Sequence, residues 1–278
     1  MERVGNVRSS LIKLLWHRIE EDDLTGLSAQ LAYFFLLSLF PLLIVLLTLL
    51  PYISIPHQDI LGLFSGFAPA EVMDLIESNI TYVMNNRNGG LLSFGIIGTI
   101  WSASTGISAI VRAFNKAYNV EESRSYFVAQ GMSILLTFGA IFVFILAIVL
   151  PVFGKAIGIF LFSKLGFANE FLTVWKALSW LVSTIILFLI FTILYWITPN
   201  VKLRCRSAFP GATFATIGWI ISSLGLSFYV ERISNYSLTY GGIGTIIVLM
   251  IWLYISAFII IIGGEINAFY TERSKTNC

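Results

Sequence analysis

The chain has 278 residues, of which 57% are hydrophobic and only 12% charged, with a net charge of +2 and a mean hydropathy of +0.86. A water-soluble domain carries about a quarter charged residues, so the composition excludes one and requires an integral membrane protein. The small net charge and scattered basic residues argue against nucleic acid as a partner, leaving the lipid bilayer as the first partner to expect.

Residues 7–24 read as an amphipathic helix on the inner membrane surface, with Leu11, Leu14, Leu15 and Ile19 beside Arg8, Lys13 and Arg18. Six apolar stretches then follow, each long enough for about 30 Å of hydrocarbon: 28–50, 91–114, 127–153, 175–197, 208–230 and 243–264. Residues 51–90 and 154–174 are left as segments on the outer side. The predicted architecture is all-α, a single polytopic membrane domain over 1–278 with six transmembrane helices and flanking interfacial helices.

Span one carries Gln30, Tyr33 and Pro41 on one face, and its proline removes a backbone N–H near mid-span, where a kink is expected. Span two has a stripe of Gly95, Gly98, Ser102, Thr105 and Arg112, drifting toward Asn115, opposite Ile96, Ile100, Ile107 and Phe114. Span five places Gly211, Ala215, Gly218, Ser222 and Gly225 at steps of four and three, the mark of close helix packing. Span six ends in Gly263-Gly264-Glu265-Ile266-Asn267.

Of the seventeen Lys and Arg residues, twelve fall with the termini and the loops around Lys116 and Arg204, and five on the other side. Both termini are therefore expected in the cytoplasm. Cys205 and Cys278 share that reducing side, which disfavours a disulfide.

Measured from the outer ends of spans two and six, Arg112 and Glu265 reach nearly the same depth. They are expected to pair, with Gln30, Tyr33, Asn115 and Asn267 completing a polar cluster at the cytoplasmic ends of spans one, two and six. Two readings fit such a cluster: an ion pair that locks three helices, or a gate or solute site, since ionisable residues at membrane depth often mark pathways. No catalytic residues, metal ligands or cofactor-binding motif are recognised. His17 and His57 fall on opposite sides, and no phosphate-binding loop or metallohydrolase signature occurs.

Leu31-Ala32-Tyr33-Phe34 with Ser38-Leu39-Phe40-Pro41, Trp101-Ser102-Ala103-Ser104 with Arg112-Ala113-Phe114-Asn115-Lys116-Ala117-Tyr118, and Tyr240-Gly241 with Trp252-Leu253-Tyr254 and Gly264-Glu265-Ile266-Asn267-Ala268 resemble, in this order, the YihY/virulence factor BrkB family. The resemblance covers about residues 10 to 270 and implies a six-helix protein of the bacterial cytoplasmic membrane, of poorly defined function. Members have also carried a ribonuclease BN label. This chain lacks the acid and histidine clusters for phosphodiester cleavage and a basic groove for RNA, so a non-enzymatic role is expected. The expected function is transport or export of a small solute, an ion or a lipid-like molecule; the alternative is a scaffold for envelope assembly, and a membrane-embedded enzyme ranks third.

Overall fold

The computed structural model describes residues 18–52, 77–78, 81–82, 84, 88–142, 159, 168–201, 203–232 and 236–276. After a short helical stretch at 18–21, the chain forms α1 (Leu24–Leu49), α2 (Gly89–Ala117), α3 (Tyr126–Phe142), α4 (Ala168–Ile197), α5 (Phe209–Arg232) and α6 (Tyr236–Thr276). Short 3-10 turns occupy Leu50–Tyr52 and Cys205–Ala208. No strand occurs among the described residues. Five of these helices are long and apolar enough to cross a bilayer, and α3 is a shorter apolar helix in its described part.

Local signals set the helix ends. Asp23 caps α1, its carboxylate accepting the Gly26 N–H at 3.2 Å, and Asn88 caps α2 by accepting the Leu91 N–H at 2.9 Å. Asn119, at φ 51, closes α2 in the left-handed region. Val120 N–H donates to Asn115 O and Asn119 N–H to Lys116 O, which satisfies carbonyls that the last turn would otherwise leave open.

Two helices extend beyond the expected spans. The expected span at 243–264 lies inside a helix that runs to Thr276 and carries Glu265, Asn267 and Glu272. Helix α4 begins at Ala168, inside the expected outer segment 154–174. The remainder of that segment apart from residue 159, the last part of the third span, most of the first outer loop and residues 7–17 of the interfacial helix lie outside the described residues.

The described residues fall into two compact units. The first takes those up to Tyr33 and from Ser104 onward, and the second is Phe34–Ala103. In the second unit, a Cβ added at Gly98 would lie 3.2 Å from Pro41 Cβ, and one at Gly95 would lie 3.0 Å from Val45, so the start of the predicted small-residue stripe faces α1 closely.

The first unit is built around the later half of α6, which is buried on nearly every side from Ile260 to Ala268. Its two adjacent glycines each receive an aromatic ring. Gly263 lies under the Tyr195 hydroxyl of α4, which donates to Ile260 O at 2.8 Å, and Gly264 lies under Phe114 of α2. The two rings meet at 5.1 Å between centroids. Gly211 of α5 faces the Gly263 carbonyl and Asn267, while Ala215 is fully buried. The seam expected on span five is closed at Gly211, Ala215 and Gly218, Ser222 is half-buried, and Gly225 has no described neighbour within 4 Å of an added Cβ.

Candidate functional site

One arginine connects three parts of the first unit. Arg18 Nη1 donates to Glu265 Oε2 at 3.0 Å and to the Ala117 carbonyl at the end of α2 at 3.2 Å, while Nη2 donates to Glu272 Oε2 at 2.8 Å. Glu265 and Glu272 are seven residues apart, two helical turns, and so present their carboxylates to one partner from the same face of α6. The Arg18 side chain is 9% exposed and Glu265 1%, whereas Glu272 is 57% exposed. Burial alone would lower the Arg18 pKa. The hydrogen bond and charge of Glu265, followed by the charges of Glu272 and Asp22, outweigh it, and the net shift is upward.

The expected pairing of Arg112 with Glu265 is therefore replaced by Arg18 with Glu265. The reason is azimuth. The buried face of α2 near its end is Ile110, Ala113, Phe114 and Ala117, and Phe114 lies on Gly264. Arg112 is two residues, roughly 200°, from Phe114, and it is exposed together with Lys116, one turn further on. Equal depth was satisfied by a cation on the wrong side of the helix.

Gln30 and Tyr33 also differ from expectation: both are exposed, Tyr33 by 56%. The inward face of α1 is instead Leu24, Ser28, Leu31 and Ala32, which lies opposite them on a helical projection. Thr105 is half-buried, and Ser102 is buried in the second unit.

The two asparagines are buried, and their hydrogen bonds run to groups other than Arg18 and Glu265. Asn267 Oδ1 accepts the Gly211 N–H at 2.7 Å, taking one of the open donors in the first turn of α5. Asn115 donates to Glu122 Oε2 at 2.9 Å and accepts the Asn200 N–H at 2.7 Å. Asn200 in turn donates to Glu121 O and Ser123 Oγ, and Arg124 bonds both Glu122 oxygens and Thr198 O. The loop after α2 is thereby tied to the turn after α4. The hydrogen bond from Arg124 holds the Glu122 carboxyl below its ordinary range. Tyr118 lies beside Thr271, whose hydroxyl donates to Asn267 O at 2.8 Å, and burial pushes the Tyr118 phenol up to about 12.

Next to these groups is a cavity of about 600 Å³ whose lining includes Arg18, Arg112 and Lys116 together with Asp22, Glu121, Glu122 and Glu272. Lys116 Nζ reaches across to donate to the Asp22 carbonyl at 2.6 Å. Groups of both charge signs thus border one space at the end of three helices. Among the described residues no group of three His, Cys, Asp or Glu is placed to hold a metal ion.

Sequence reasoning missed Arg18, Glu272 and Tyr195. The seven-residue spacing of Glu265 and Glu272 was the available signal for a shared cation, although three cations stand near that level. Tyr195 has no signal of its own in an apolar span.

Residues 15–277 match the family model described as virulence factor BrkB. A relative from Bacillus subtilis, named putative ribonuclease-like protein YfkH, is 52% identical over 266 residues, covering 96% of this chain and 97% of its own. A UPF0761 membrane protein of Haemophilus influenzae is 26% identical, covering 93% and 94%, and one of Pseudoalteromonas atlantica is 28% identical, covering 96% and 89%. No solved structure matches the chain. With the match running through the glycine pair, Glu265 and Asn267 of α6, the chain belongs to the virulence factor BrkB family of bacterial membrane proteins.

Proposed function

We propose that this chain is a transporter or exporter of a small polar solute, an ion or a lipid-like molecule, and that the cavity beside Arg18 and Glu265 is its inner mouth. The observation that carries the reading is the charged cavity of about 600 Å³ next to a fully buried carboxylate on a membrane-spanning helix. Charge at such a position is costly to maintain and is commonly kept for solute or proton passage. The clustering of Lys and Arg with both termini supports a cytoplasmic opening in the bacterial cytoplasmic membrane. In this reading, Arg18 closes the mouth by holding Glu265 and Glu272 together with the end of α2.

The test is protein-dependent flux in liposomes across a panel of ions, amino acids, polyols and labelled lipids. Transport predicts flux of at least one member and a changed rate in Arg18→Gln. Null results across the panel with folded protein would contradict it and favour a scaffold in envelope assembly. The chain works without covalent chemistry in this proposal, so RNA incubated with the same preparation should remain intact, whatever the name of the Bacillus subtilis relative. Cleavage that copurifies with the protein would reverse that assignment.

A further inference from the structure

Helices α5 and α6 run antiparallel: Gly211 N–H bonds Asn267, a Cβ at Gly218 would meet Ile259 at 2.9 Å, and the rings of Trp219 and Trp252 lie 5.9 Å apart between centroids. Residue numbers fall on α6 as they rise on α5. Trp219 and Ser223, one turn apart, therefore stand opposite Ser256 and Trp252, also one turn apart. Ser256 is ten residues beyond Ile246, the start of the apolar part of α6, a depth of roughly 15 Å or half the hydrocarbon thickness.

Three buried polar atoms at this level have no hydrogen-bond partner: Ser223 Oγ, Trp252 Nε1 and Ser256 Oγ. Ser256 is only 4% exposed. Hydroxyls elsewhere in the helices behave differently, since those of Ser28, Thr137, Thr192 and Thr216 each donate to the carbonyl four residues back. A helix always offers that carbonyl, so two buried serine hydroxyls that make no such bond, at the level of an unbonded indole N–H in a region without bulk water, indicate an occupant.

We propose that Ser223, Trp252 and Ser256 form a midplane binding site for one small neutral molecule bearing a hydroxyl oxygen, either water or a polyol. The chemistry fixes the class. The indole only donates, the two hydroxyls donate and accept, and none of the three carries a charge to favour an ion. Such a molecule accepts from Trp252 and exchanges hydrogen bonds with the serines. This site goes beyond the transport reading and does not rest on it.

The experiment is ¹⁹F NMR of the full chain labelled with 5-fluorotryptophan in lipid nanodiscs, with the Trp252 resonance assigned from Trp252→Phe. The site predicts a shift of that resonance between H₂O and D₂O that Ser223→Ala and Ser256→Ala each reduce by half or more. A saturable shift on adding glycerol identifies a polyol occupant, and an isotope shift without a glycerol response identifies water. Absence of both would overturn the site, as would an isotope shift unchanged in the two alanine variants. Thermal unfolding is the second readout: both alanine variants should unfold at lower temperature if an occupant is lost, whereas an unchanged or higher midpoint means the hydroxyls had no partner to lose.

Discussion

At the scale of single residues, Glu265 shows how position along a membrane helix and position around it carry different information. Its depth follows from counting, which brings Arg112 to nearly the same level, yet the cation that reaches it is Arg18. The choice between them depends on Phe114 occupying Gly264, which turns Arg112 away from α6. That contact was not readable from periodicity, because Phe114 belongs equally well on a lipid-facing or a protein-facing stripe. Tyr118 supplies a pH test outside the spans. Its pKa is raised from 10.0 to about 12 by burial, so the folded state holds the proton more tightly than the unfolded one. The stability this contributes is complete below pH 10 and is lost as pH rises toward 12; by linkage a two-unit shift is worth about 3 kcal/mol. Thermal unfolding of wild type and Tyr118→Phe between pH 9 and 12 should show a shallower alkaline decline in the variant. Equal declines would mean that Tyr118 is not the titrating group.

At the scale of elements, five of the apolar stretches form described helices long enough to span, legible because a span needs only length and few charges, while the small-residue step on α5 marks a close approach at Gly211 and Gly218 but not at Gly225. Less legible was the end of α6, where Glu265 and Asn267 stood out in sequence but their partners Arg18 and Gly211, and the second carboxylate Glu272, did not. The Gly263-Gly264 pair gives the clearest mutational contrast. A methyl at Gly264 runs into the Phe114 ring, and one at Gly211 runs into the Gly263 carbonyl, which is backbone and has nowhere to move. Gly211→Ala and Gly264→Ala should each destabilise the protein by about 1 to 3 kcal/mol or more through overpacking. Gly225→Ala meets no described neighbour and should be neutral or slightly stabilising, since alanine is the better helix former. Unfolding midpoints in matched detergent decide this, and equal losses at Gly225 and Gly211 would contradict the seam.

At the scale of the whole molecule, topology is the expectation that composition carries furthest. Cysteines placed at positions 116, 204 and 275 should be shielded from an impermeant reagent in intact cells, while positions in 51–90 should label. Labelling at 275 from outside would invert the proposed cytoplasmic mouth. The central claim is that Arg18, rather than Arg112, is the partner that keeps Glu265 in the membrane. Two double-mutant cycles on reversible unfolding test it most directly: Arg18→Met with Glu265→Gln, and Arg112→Met with Glu265→Gln. Arg18→Met alone leaves a buried carboxylate uncompensated and should cost about 3 to 5 kcal/mol, most of it recovered when Glu265→Gln is added. Arg112→Met should stay within about 0.5 kcal/mol of wild type and combine additively with Glu265→Gln. Strong coupling in the Arg112 cycle with none in the Arg18 cycle would contradict the account.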